Sequence, residues 1–176
     1  MMEQQWKQSD LITARAAQAT EDVVLERISN LLAELKIDIH VELYGDSPLP
    51  DINIIDEMIC LFYKYRDDYD YFSSAIKTSY PPGIEVSIYS SEILLKVNDL
   101  IKKNDPLREE VGYNITRFPK IFKQFSVEAP KWFNYPNVYL EVDTKNDLDL
   151  IKKIYAYFIK RGIDYFSLRQ IIEFLS

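Results

Sequence analysis

Tyr44-Gly45-Asp46-Ser47-Pro48-Leu49 follows an alternating apolar run, Ile37, Ile39, Val41 and Leu43, and precedes a helical pattern opened by Asp51. The order reads strand, tight turn, helix. In open α/β sheets ligands gather beyond the carboxyl ends of the strands, so an aspartate set there by a glycine is a candidate for holding a metal ion or a phosphate. The same letters also serve as plain turn chemistry, with Gly45 at positive φ and Pro48 stopping the strand. Both readings of Asp46 stand at this point.

Outward from that turn the pattern alternates between helix and strand. Upstream, Thr20 caps a helix that begins with Glu21 and Asp22 and repeats Val24, Leu25, Ile28, Leu31, Leu32 and Leu35 at helical spacing. Downstream, Ile55, Met58, Ile59 and Phe62 share one helical face. Tyr69 to Ala75 reads as an aromatic-rich strand, Thr78 to Gly83 as a turn-rich loop, and Ile84 to Tyr89 as an alternating strand. Ser90 or Ser91 caps the next helix, whose apolar residues are Ile93, Leu94, Val97, Leu100 and Ile101. Pro106 opens a short helix running through Ile115.

A loop with a strand at Phe122 to Val127 leads to a strand from Val138 to Val142 that runs into Asp143. Thr144-x-x-Asp147 and Ser167-x-x-Gln170 have the form of capping boxes for the last two helices. The first carries Leu148, Ile151, Tyr155, Phe158 and Ile159, the second Leu168, Ile171, Ile172 and Leu175. Residues 1 to 20 form a poorly defined N-terminal segment, and residues 21 to 176 read as one α/β domain with no internal repeat or linker.

Composition narrows the partners. The 21 basic residues against 28 acidic ones give a charge of −7, which speaks against a nucleic-acid or anionic-membrane surface. Cys60 is the one cysteine, so an internal disulfide is impossible and a cytoplasmic setting is expected, with Cys60 itself placed in the core. The first ten residues lack an apolar run of signal-peptide length, and no stretch has the length of a membrane span. His40, the one histidine, lies on the polar face of its strand and reads as structural. Tyr63, Tyr65, Tyr69 and Tyr71 either line a pocket or interface or half-bury at the edge of the core.

Polar residues alternate with apolar ones in the strands: Asp38, His40 and Glu42, then Glu85 and Ser87, then Tyr139 and Glu141. Parallel strands covered on both faces read as continuous apolar runs. The alternation therefore predicts a sheet with one wet face and its helices mainly on the other.

Five stretches, in order, resemble the cytidylyltransferases that make CMP-activated sugars, and among them the spore-coat polysaccharide nucleotidyltransferases. Asp22-Val-Val-Leu-Glu-Arg27 is similar to the family's D-D-V-L-x-R, and Gly45-Asp46-Ser-Pro-Leu49 to its G-D-C-P-L. Tyr80-Pro-Pro-Gly-Ile-Glu-Val86 resembles Y-P-x-G-L-D-V, and Arg108-Glu-Glu-Val111 resembles R-E-H-V. Val142-Asp-Thr-Lys-Asn-Asp-Leu148 with Phe166-Ser167 resembles V-D-T-P-E-D-L and the closing F-S helix.

The resemblance implies a partial nucleotide-diphospho-sugar-transferase-like sheet, of the GT-A or Rossmann-like kind. It implies that Asp46 and Asp143 hold Mg2+ against nucleotide phosphates, and that Glu85 and Arg108 contact the acceptor. Implied substrates are CTP and an acidic or amino sugar, whose hydroxyl attacks the α-phosphorus. The family's opening strand and glycine-rich phosphate loop have no counterpart, since Ala16-Ala-Gln-Ala-Thr20 lacks the glycines and lysine. Glu110 and Lys145 stand where the family has histidine and proline. An N-terminally truncated relative is therefore expected, active only if a separate chain supplies the N-terminal half, with a homo-oligomer as a further expected partner; the alternative is a non-catalytic remnant acting as an interaction or oligomerisation module.

Overall fold

The computed structural model describes residues 24–176; the expected Thr20 cap, Asp22 of the first motif and the segment 1–20 lie outside the described residues. The elements are α1 (Val24–Leu35), β1 (Ile39–Glu42), α2 (Ile52–Tyr65), β2 (Tyr71–Ser73), β3 (Ser87–Ser90), α3 (Ser91–Leu100), a 3-10 turn (Pro106–Glu109), α4 (Tyr113–Thr116), β4 (Gln124–Ser126), a second 3-10 turn (Lys131–Phe133), α5 (Lys145–Ile159) and α6 (Leu168–Leu175). The sheet has the order β1-β3-β2-β4, with β2 and β4 parallel in the register Tyr71 to Gln124 and Phe72 to Phe125. Among the described residues no helix is long and apolar enough to cross a membrane.

The chain divides into two compact units. In the first, residues 24–40 with 89–122, α1 packs on α3. Leu25 and Leu32 of α1 and Leu94 and Val97 of α3 supply its buried face, with Ile101, Val111 and Ile115. Arg108 is almost wholly enclosed here, 3% exposed. Its guanidinium donates to the Ile101 carbonyl at 2.9 Å, the Asn98 carbonyl at 3.3 Å and the Asn98 side-chain oxygen, which ties down the carboxyl end of α3. The expected helix from Pro106 to Ile115 is instead two pieces. Asp105 caps the 3-10 turn, and the backbone between Glu110 and Gly112 leaves the helical path before α4.

The second unit, residues 41–88 with 123–176, is built around β2. Phe72 is fully buried among Phe62 at 5.4 Å, Phe125 at 5.3 Å and Tyr69 at 6.0 Å, mostly in the edge-on or offset arrangements aromatic rings prefer. The α2 stripe is Ile54, Met58 and Phe62, at i, i+4 and i+8. Cys60 falls off that stripe and is exposed, which corrects its placement in the core. Both capping boxes form, Thr144 with Asp147 and Ser167 with Gln170.

The sheet departs from expectation in two respects. At β1 the expected wet face is no wetter than the other: all four strand residues are half-buried, with Asp38 exposed just before them. At β3 it fails: Ser87 is fully buried, where its hydroxyl meets Tyr71 Oη at 2.9 Å and donates to Ser73 Oγ at 2.8 Å. Polar alternation there marks an internal hydroxyl network, because a buried hydroxyl is tolerated once it is hydrogen-bonded. The second departure is at residues 138–142, which join no ladder. Leu140 N–H donates to Pro82 O at 2.7 Å and Val142 N–H to Asp46 O at 2.8 Å. Those acceptors sit on two separate turns, so no ladder can propagate from them.

Candidate functional site

The turn quoted at the outset is closed by Ser47 N–H donating to Tyr44 O at 3.1 Å. Gly45 is not at positive φ, and a Cβ there would meet nothing within 4 Å. The expected left-handed glycine is thus corrected: the turn closes with ordinary dihedrals, and Gly45 is not sterically required. Asp46 is exposed and accepts a hydrogen bond from Ser47 Oγ at 3.2 Å.

Asp143 reaches the same place by a different route. It follows no ladder strand, but the Val142–Asp46 backbone bond leaves it one residue from contact with the Gly45-Asp46 turn. Beyond it the α5 capping box takes over. Asp147 Oδ2 accepts from the Thr144 N–H at 2.7 Å, the Thr144 hydroxyl at 2.7 Å and the Asp143 N–H at 3.3 Å, and these bonds hold the Asp147 carboxyl below the usual carboxylate range.

Two further carboxylates join them. Glu85 accepts from Gly83 N–H at 2.7 Å and is pushed up chiefly by burial, with a smaller push from Asp46. Glu141 is also raised by burial first, then by the charges of Asp143, Glu85, Asp46 and Asp147. No basic side chain figures in either shift. Glu141 thus lies within electrostatic reach of Asp46, Asp143 and Glu85, all in the second unit, where the alternation had marked it only as a wet-strand residue. Its signal in sequence was its place two residues before Asp143. Arg108 belongs to the other unit, where Asn98 and Ile101 engage it.

Next to the acids, the Tyr44 hydroxyl is pushed above its usual range by burial and by Glu42 and Tyr71, and it bonds Ser87. Tyr71, Ser87 and Ser73 form a buried chain of bonded hydroxyls, with Tyr44 beside it. The expected tyrosine cluster does not assemble as one wall: Tyr63 is exposed, Tyr65 stacks on Phe125 at 5.8 Å, and Tyr71 is buried. A separate recess of about 410 Å³ is lined by Trp132, Phe133, Tyr135, Arg169, Ile172 and Glu173, without any of the four acids.

Among the described residues no three acidic, histidine or cysteine side chains are grouped so as to hold a metal ion. A pair of aspartates still suits a hard cation of one kind. Magnesium commonly takes one or two carboxylates and completes its shell with water and substrate phosphates.

No protein-family model matches the chain. It is 28% identical over 141 residues to the spore coat polysaccharide biosynthesis protein SpsF of Bacillus subtilis, covering 80% of this chain and 57% of that one. It is 29% identical over 157 residues to an uncharacterized protein of Methanocaldococcus jannaschii, covering 89% and 61%. A cytidylyltransferase structure from Leptospira borgpetersenii superposes with a TM-score of 0.77 at 23% identity, over 89% of this chain and 63% of that one. The chain thus spans about three fifths of the length of the relatives it matches. The resemblance that the five motifs carried is borne out in sequence by a spore-coat relative and in fold by a cytidylyltransferase.

Proposed function

We propose that this chain carries the metal-facing and acceptor-facing part of a cytidylyltransferase that activates a sugar for surface polysaccharide synthesis. The observation that carries the reading is the Val142 N–H to Asp46 O bond at 2.8 Å, which sets the two motif aspartates on adjoining backbone. In this reading Asp46 and Asp143 hold Mg2+, which when bound draws charge from the nucleotide phosphates.

The chain's own residues do the remaining work. The Thr144–Asp147 box fixes the backbone on which Asp143 stands, and the Gly83 N–H fixes Glu85 for an acceptor hydroxyl. That hydroxyl attacks the α-phosphorus of CTP, and pyrophosphate leaves. Of an acidic or an amino sugar, the amino sugar suits surroundings in which carboxylates outnumber cations. Arg108 in this reading braces α3 and does not touch substrate.

Calorimetric titration of the chain with CTP, with and without Mg2+, tests the proposal. Binding that requires the metal and weakens about 10- to 100-fold in both Asp46→Asn and Asp143→Asn is the expected outcome. Metal-independent binding, or none at millimolar CTP, favours a non-catalytic interaction module.

A further inference from the structure

The turn that leads into Glu85 is Pro81-Pro82-Gly83-Ile84, closed by Ile84 N–H donating to Pro81 O at 3.1 Å, with Gly83 at φ 97°. Proline second and a left-handed glycine third are the signature of a type II turn. The turn has a second duty. A Cβ built on Gly83 would stand 2.5 Å from Glu141 N, 2.5 Å from the Leu140 carbonyl carbon and 2.7 Å from Leu140 O. All three are main-chain atoms of another segment, and unlike a flexible side chain they cannot swing aside.

That segment is the one lacking a ladder. It is held by Leu140 N–H to Pro82 O at 2.7 Å on one side and Val142 N–H to Asp46 O at 2.8 Å on the other, with the Leu140 side chain fully buried. The Pro82-Gly83 turn and the Gly45-Asp46 turn therefore grip residues 140–142 between them. Asp143 is the next residue along. Gly83 N–H also donates to Glu85 Oε2 at 2.7 Å, so the same turn fixes a third carboxylate.

We infer that Gly83 is a positioning residue: its missing side chain lets the 81–84 turn close on residues 140–141, and that contact sets how Asp143 and Glu85 stand relative to Asp46. This rests on the reading of the two aspartates as an ion site. The grip itself can be tested without any ion.

The test uses the full chain, Mn2+ alone as the probe, and amide hydrogen exchange followed by NMR. Gly83→Ala is compared with Gly162→Ala, because Gly162 is also left-handed, at φ 71°, but a Cβ there meets nothing within 4 Å. The control takes on the backbone strain without the collision. In G83A the Leu140 and Val142 amides should exchange at least about tenfold faster than in G162A, and the Mn2+ dissociation constant should rise about 10- to 100-fold, as it does when the support of a ligand is removed. Unchanged protection of both amides, or lost protection with unchanged Mn2+ affinity, overturns the inference.

Should G83A not fold, the unsubstituted chain decides. Its Leu140 and Val142 amides must be protected as a pair relative to Tyr139, and free exchange at either one overturns the grip. Exchange as expected without Mn2+ binding by the unsubstituted chain removes the ion site of the proposed function and leaves the grip in place.

Discussion

At the scale of single residues, burial changes what a side chain is for. His40 is half-buried beside Tyr89, with ring centres 5.2 Å apart, and burial lowers its pKa from the ordinary value. A histidine that resists protonation in the fold lets the unfolded chain bind the extra proton. Stability should therefore be full above the ordinary histidine pKa of about 6.5 and fall as pH drops below it. His40→Phe should flatten that decline between roughly pH 7 and pH 5 in urea titrations, whereas an unchanged slope would show that the imidazole titrates freely in the fold. Gly45 and Gly83 differ for the same kind of reason. A glycine's necessity depends on its φ and on what faces it, and only Gly83 has both a left-handed backbone and a main chain in the way of a side chain.

At the scale of elements, caps join helices as well as end them. Asp51 was legible as the opening of α2, and its Oδ1 does accept from Asn53 N–H at 2.9 Å. Its other oxygen accepts from Leu168 N–H at 2.7 Å, at the first residue of α6, while Tyr165 Oη donates to Oδ1 at 3.2 Å. One carboxylate, 3% exposed, thus serves the amino ends of two helices. Asp51→Ala should cost about 3 kcal/mol in chemical denaturation, a lost cap plus a buried N–H left without a partner. A loss below about 1 kcal/mol would show that water replaces the carboxylate at α6. Helix starts were legible because a cap and its partner lie within three or four residues. The strand limits were not, since a strand ends where its neighbour stops pairing, and that neighbour is distant in sequence.

At the scale of the whole molecule, stability concentrates where distant stretches meet. Phe72 touches rings from α2 and β4, so Phe72→Ala should destabilise the second unit by about 3 to 5 kcal/mol, with exchange of the β2 and β4 amides as the local readout. A loss near 1 kcal/mol would mean that Phe62 and Phe125 close over the gap.

Sequence alone was enough for the longer helices, the caps at Asp51, Thr144 and Ser167, the place of the Gly-Asp turn and the ordered motifs, because each is written in side chains a few positions apart. It also put forward Asp46, Asp143 and Glu85 as candidates, through the resemblance their motifs carry. The tertiary structure decided what those letters could not carry: that Arg108 is enclosed in a different unit, that Glu141 joins the acids, and that residues 138–142 cross between two turns instead of forming a strand. Backbone pairing and electrostatic coupling depend on which distant segments arrive at one place, and that is settled only when the chain has closed on itself.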